Sequence, residues 1–316
     1  MLVYFYDKNQ LLMESKKLTV ILGCTATGKT NVAVNLANKI NGEVISADSR
    51  QVYKGMDVGT GKDLSEFTVD GNEIPHHLID IVAAGSEYNV YEYQKDFLTA
   101  YEGIQKRKTN AILCGGTGMY LEAVLKGYRM LEIPDNVELR KSLESKSDEE
   151  LLAELKSLKE LHNTTDSIER HRLIRSIEIS AYQKDNEKLI NDYPKIDATI
   201  FGINYERDII KERITSRLKH RLKNEGMIEE VEGLIAAGVD PERLKFYGLE
   251  YKLITQFLLK EIDRPAMFNQ LNIAIHQFSK RQATWFRKME RNGFNINWID
   301  GAMPLEEKVA FIKEQM

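Results

Sequence analysis

Cysteine is scarce, with Cys24 and Cys114 the only two in 316 residues. Neither stands in a CxxC or Cys/His pattern, which excludes a zinc module and a disulfide framework and fits a reducing cytoplasm. A positive excess is missing too. Lys and Arg number 44 against 48 Asp and Glu, so any affinity for nucleic acid has to come from local stripes rather than from overall charge. No apolar run approaches membrane-spanning length. The opening MLVYFYDKNQLLMESKK lacks a basic start, an apolar centre and a small-residue cleavage site, and does not read as a signal peptide. Residues 1–17 are expected to be an extension, with Met13 as an alternative start. Repeats and low-complexity tracts are also absent. With 42% hydrophobic and 29% charged residues, the chain has the make-up of a packed globular enzyme.

The order of elements is the first positive signal. Residues 18–22 (LTVIL) form a run too short for a helix; a glycine loop and a helical pattern over Lys29 to Ile40 follow. Further strands are expected at 43–46, at His77 to Val82, at 111–114 and at 198–204, with a helix over Tyr91 to Arg107 and a last strand at Asn295 to Ile299. Such alternation implies an α/β fold, a parallel sheet covered by helices, and the glycine loop between its first strand and first helix makes the expected sheet P-loop NTPase-like. After Pro134 the chain is charged and free of glycine until Pro194, with capping boxes at Ser147–Glu150 and Asp166–Glu169. The expected division is a first core part at 18–128, an inserted all-helical module at 129–194, and a return to the core with four helical stretches at 195–316.

Gly23-Cys24-Thr25-Ala26-Thr27-Gly28-Lys29-Thr30 matches GxxxxGK[ST] between an apolar strand and an amphipathic helix. Backbone N–H groups of Gly23, Thr25, Ala26, Thr27 and Gly28 can form an anion hollow, Lys29 adds a charge, and the Thr30 hydroxyl suits Mg2+. Two linked phosphates are the expected ligand. Kinase-type P-loop enzymes carry an acid at the end of a neighbouring apolar strand, but here the strand at 111–114 ends in GGTG. The nearest well-placed acid is Asp48, followed by Ser49, Arg50 and Gln51; it either faces a substrate or caps a turn.

On a helix over residues 274–291, Lys280, Arg281, Thr284, Arg287, Lys288 and Arg291 share one third of the circumference, with Phe278, Trp285, Phe286 and Met289 opposite. By spacing alone this stripe is as compatible with solvent as with phosphates. His171, Arg172 and Arg175 share a side opposite Leu173, Ile174 and Ile177. The basic run Lys211 to Lys223, interleaved with Glu212, reads as a solvated helix, and His76 and His77 read as structural.

Five ordered blocks, GCTATGKT at 23–30, ISADSRQVYKGMDVGTGK at 45–62, HHLID at 76–80, GGTGMYLEAVLKG at 115–127 and KRQATWFR at 280–287, together resemble the tRNA dimethylallyltransferase family. Small departures are Cys24 and Thr27 where proline and serine are usual, Gly61 for alanine, and Lys245 to Glu250 in place of a GY-type segment. The resemblance implies transfer of a dimethylallyl group from dimethylallyl diphosphate to N6 of the adenosine 3′ of the tRNA anticodon. It implies Asp48 as base and Thr117 on the target nucleotide. It also implies RNA contact by Asp48, Ser49, Arg50, Gln51 and Thr117, by His171, Arg172 and Arg175 of a module gripping the anticodon stem-loop, and by Lys280, Arg281, Gln282, Thr284 and Arg287. A monomer of bacterial type, without the zinc finger of some eukaryotic members, is expected. The rivals are prenyl transfer to free adenine nucleotides, a P-loop kinase, and a non-catalytic RNA-binding adaptor.

Overall fold

A computed structural model describes residues 16–159, 170–186 and 193–316. Most of the expected N-terminal extension and the capping box at Asp166–Glu169 lie outside the described residues. The chain forms two compact units, one of residues up to Lys126 and from Lys195 onward, the other Gly127–Pro194.

The larger unit is built on β1 (Leu18–Gly23), α1 (Lys29–Ile40), β2 (Gly42–Ala47), the short β3 (Thr68–Val69), β4 (Asn72–Glu73) and β5 (His76–His77), then α2 (Val90–Arg107), β6 (Asn110–Gly115) and α3 (Gly118–Lys126). After the smaller unit come β7 (Ala198–Asn204), α7 (Arg207–Asn224), α8 (Met227–Ala236), α9 (Pro241–Leu244), α10 (Leu249–Leu258), α11 (Arg264–Arg291), β8 (Ile296–Asp300) and α12 (Leu305–Glu314). The main sheet has the order β5-β2-β6-β1-β7-β8, with every pair parallel. Strands β1 and β2 are buried at every position, as the unbroken apolar runs of a sheet covered on both faces require. One face packs Leu22, Ile45, Phe97, Leu121, Phe286 and Met289 from the sheet, α2, α3 and α11. The other packs Ile21, Leu36, Phe201 and Ile312 from the sheet, α1 and α12.

The expected strand at His77 to Val82 is cut short. His76 and His77 pair with Val44 and Ile45; Leu78 and Asp80 then adopt left-handed backbone (φ 61° and 56°), which no strand accommodates, and at the far end Val82 makes only an isolated parallel bridge to Tyr53. A hairpin not foreseen joins β3 to β4 through Asp70 and Gly71, both at positive φ, the conformation that Asp-Gly supplies at a tight turn. Between β7 and β8 the one-turn α9 joins the four longer helices. No described helix is long and apolar enough to cross a membrane.

Buried Glu43 ties β2 to the end of α2: its carboxylate accepts from Arg107 Nε (2.8 Å), Thr109 Oγ1 (2.7 Å) and His77 Nε2 (2.7 Å). The Arg107 guanidinium, ahead of the opposing cost of burial, holds the Glu43 carboxyl down at about 2. A depressed carboxyl pKa adds stability that is complete above the unfolded value near ~4.3 and is lost as pH falls toward the folded value. Glu43→Gln should therefore cost up to about 3 kcal/mol at neutral pH, with roughly a third of that difference gone by pH 3.5. Urea unfolding of both proteins across pH 7 to 3.5 measures it; a difference independent of pH rules the ion pair out as its source.

In the unit Gly127–Pro194, α4 (Val137–Glu144), α5 (Asp148–Leu158) and α6 (Arg170–Asp185) enclose Leu143, Leu151, Leu155, Leu173 and Ile177. The capping box at Ser147 and Glu150 forms in both directions. Burial pushes the Glu178 carboxyl up, but Arg140, the Asn136 N–H and Arg175 outweigh it and leave it below its ordinary value. Arg175 thus turns onto Glu178, Asp135 and the Ile133 carbonyl, whereas His171 and Arg172 are exposed.

Candidate active site

Three glycine-marked or polar segments meet because β1, β2 and β6 lie side by side and run the same way. The P-loop leaves β1, Asp48-Ser49-Arg50-Gln51 leaves β2, and Gly116-Thr117 leaves β6, all at the carboxyl edge where parallel sheets place their ligands. The loop turns back through left-handed Ala26 and Gly28 (φ 63° and 78°). Thr27 is buried, and its hydroxyl donates to the Cys24 carbonyl (2.8 Å). Helix α1 starts at Lys29 without a side-chain cap and without an acid in its first turn, so its first N–H groups and its dipole remain available to an anion. Lys29 and Thr30 are half-buried there. Thr25 is less available: its N–H donates to Gln282 Oε1 (2.8 Å), and its hydroxyl accepts from Arg217.

That arginine belongs to the run Lys211 to Lys223, which is no plain solvated helix. At four-residue spacing along α7, Arg213 Nε donates to the Ala26 carbonyl (2.8 Å), Arg217 reaches Thr25, and buried Arg221 pairs with Asp63 (2.6 Å). Burial first, and the adjacent Arg221 second, bring the Arg217 guanidinium down to about 10. Glu66 and Glu250 lie in the field of the same arginines, and burial holds both carboxyls above their ordinary value. The signal for this cationic row is in the sequence: Arg213, Arg217 and Arg221 are each one residue from, or on the same face as, buried Ile214 and Leu218. Reading the run as a whole, by composition, hides it.

On the β2 side, the Asp48 carboxylate accepts from the Arg50 N–H (2.9 Å), and the Thr117 hydroxyl accepts from the Ser49 N–H (3.1 Å). Gln51 is committed inside the protein, accepting from Ser46 Oγ (2.8 Å) and donating to the Gly61 carbonyl (3.0 Å), so its amide holds a loop rather than reaching outward. That loop is clamped by Lys62, fully buried, whose Nζ donates to the Tyr53 carbonyl (2.7 Å) and meets Asp57 and Asp80. Glu230 of α8 adds to the clamp by accepting from the N–H groups of Asp57, Val58 and Gly59 (2.7, 2.7 and 3.0 Å).

Helix α11 presents the expected two faces with two exceptions. Lys280, Arg281, Thr284 and Arg287 are exposed, while Phe286 and Met289 are buried. Phe278, expected inside, is exposed with the Arg281 guanidinium 5.9 Å from its ring centre. Gln282, expected to meet RNA, is only 6% exposed. Trp285 lies against Gly118, where a Cβ would come within 2.3 Å of the indole.

The chain as a whole is similar to known proteins. The family model described as IPP transferase matches residues 51–289, and that described as isopentenyl transferase matches residues 16–73. The chain belongs to the tRNA dimethylallyltransferase family. Among its relatives, tRNA dimethylallyltransferase 2 of Bacteroides fragilis is 51% identical over 306 residues, covering 97% of this chain and 99% of the relative. tRNA dimethylallyltransferase 1 of Parabacteroides distasonis is 53% identical over 298 residues, covering 94% and 97%. The crystal structure of a tRNA isopentenylpyrophosphate transferase from Bacillus halodurans superposes with a TM-score of 0.68 at 30% identity, covering 95% of both chains. A eukaryotic dimethylallyltransferase acting on tRNA shares the fold, with a TM-score of 0.74 over 91% of this chain and 74% of that one.

Proposed function

We propose that this family member transfers the dimethylallyl group of dimethylallyl diphosphate to N6 of the adenosine 3′ of the anticodon in tRNA, releasing pyrophosphate. The observation that carries the reading is the juxtaposition of an uncapped helix N-terminus, free of acidic residues in its first turn, with a carboxylate at the end of the next-but-one strand. The names of relatives alike over more than nine-tenths of both chains support it. In the reaction the donor's C1–O bond breaks, a C–N6 bond forms, the N6 proton passes to Asp48, and pyrophosphate leaves. The exocyclic amine is a poor nucleophile because its lone pair is delocalised, so both proton removal and a stabilised leaving group are needed. Lys29, Arg217 and the α1 N-terminus would meet the charge that develops on the pyrophosphate. Ser49, Arg50 and Thr117 would hold the adenosine, flipped out of its loop. The exposed stripe of α11 and the exposed His171 and Arg172 would contact the anticodon stem-loop.

The donor set fits magnesium. Thr30 offers one hydroxyl, and the described residues hold no group of three or more His, Cys, Asp or Glu placed for a metal; a cation here would be held largely by diphosphate oxygens and water, as magnesium commonly is. Bound Mg2+ would neutralise charge on the departing pyrophosphate. A monomer working in the cytoplasm completes the reading.

Incubation of the protein and labelled dimethylallyl diphosphate with an anticodon stem-loop and, separately, with AMP decides the acceptor. Label is expected on the adenosine of the RNA and not on AMP, by mass analysis of nucleosides. Label on AMP alone would replace this reading by prenylation of free nucleotides.

A further inference from the structure

We infer that Gln282 is a positioning residue whose amide sets the diphosphate half of the site against the acceptor half. The inference rests on the prenyl-transfer reading. Gln282 sits on the inner face of α11, 6% exposed. Its Oε1 accepts from the Thr25 N–H at 2.8 Å, and its Nε2 donates to the Gly116 carbonyl at 3.0 Å. Thr25 belongs to the anion hollow. Gly116 directly precedes Thr117, whose hydroxyl takes the Ser49 N–H and whose own N–H donates to the Ala47 carbonyl (3.1 Å), next to Asp48. One side chain therefore spans the loop proposed for the leaving group and the turn proposed for the adenosine.

The two ends ask for opposite functions of one side chain. An N–H needs an acceptor and a C=O needs a donor, and a primary amide in a single orientation supplies one from each arm. Glutamate would satisfy Thr25 but oppose two acceptors at Gly116 and add a negative charge beside the hollow. Methionine, of similar length, would leave both backbone groups unpaired. The fit is close on the acceptor side, since a Cβ at Gly116 would fall 2.4 Å from Gln282 Nε2. One turn earlier on the helix, the Ser279 carbonyl accepts from the Cys24 thiol (3.4 Å), so α11 grips the entry of the P-loop at two successive residues. The amide is thus spent on the loops, while Lys280, Arg281, Thr284 and Arg287 present the outer face.

Each half can bind its own ligand without the bridge; the displacement alone depends on the distance and line between donor carbon and N6. Loss of the bridge should therefore appear in the rate of bond formation and not in binding. Full-length Gln282→Met and Gln282→Glu are tested well below their unfolding midpoints for pyrophosphate Kd, stem-loop Kd and single-turnover prenyl transfer. Transfer is expected to fall about 10- to 100-fold in Gln282→Met, with stem-loop Kd within threefold of the parent in both variants and pyrophosphate Kd within threefold in Gln282→Met. Gln282→Glu, which retains one bond but brings a charge, should also be slow. Transfer within threefold of the parent in Gln282→Met overturns the inference, as does a loss confined to stem-loop Kd with a shallower salt dependence, which would place the amide on RNA. Should Gln282→Met not fold, Gln282→Asn, which keeps both functions but is one methylene short, is judged by the same split. The parent protein is measured alongside: if it transfers nothing to RNA, the proposed function fails, whereas an active parent with an equally active Gln282→Met sinks only the bridge.

Discussion

Asp48→Asn should lower single-turnover prenyl transfer about 1,000-fold while pyrophosphate and stem-loop affinities stay within threefold. Asparagine keeps the side-chain oxygen that accepts the Arg50 N–H, so the turn that follows β2 survives, along with the Ser49 to Thr117 bond that depends on it. What it cannot do is take a proton from an amine whose lone pair is tied up in the adenine ring. If Asp48 merely capped this turn, asparagine would be a near-perfect replacement and transfer would stay within a few-fold of the parent. Asp48→Ala, by contrast, removes both the cap and the base, so it cannot separate the two roles. Measured rates for the asparagine variant within tenfold of the parent would remove Asp48 from the chemistry.

The parts of this site that are legible in the sequence are those made by a few consecutive residues. A strand, a glycine loop and a helix in direct succession define the anion hollow, and Asp48 and Thr117 are found because each ends an apolar run. Strand order is different in kind: β1 lies between β6 and β7, residues far apart in the chain, and no local pattern encodes that. The segment 78–82 looks like a strand by its apolar residues, yet left-handed Leu78 and Asp80 bend it to bring Asp80 to Lys62. Local propensity yields there to a buried ion pair. Polar residues are misplaced for a related reason. Gln51, Gln282 and Arg175 sit among residues with outward-facing roles, but each turns to a carbonyl or amide of another segment. Helical periodicity assigns a face; it does not say which polar groups on that face have partners.

Arg217→Ala should weaken pyrophosphate binding about 100-fold, the effect of losing a charge-assisted contact of ~3 kcal/mol, with little change in stem-loop affinity. Arg217→Lys tests why the position holds arginine. Burial and the neighbouring Arg221 bring the guanidinium from its ordinary 12.5 to about 10, which still leaves it charged at neutral pH. Burial acts in the same direction on a lysine, whose ordinary value is already lower at ~10.4, and would bring it closer to neutrality. The lysine variant would then shed its charge at a lower pH than arginine does, and lose the diphosphate contact with it. Its kcat/KM for the donor should fall between pH 7 and 9 more steeply than the parent's, where arginine stays protonated. Parallel profiles in the two proteins would mean that Arg217 holds Thr25 in place without meeting the diphosphate. A steeper profile would mean that position 217 holds arginine because its charge must survive burial beside Arg221 and Arg213.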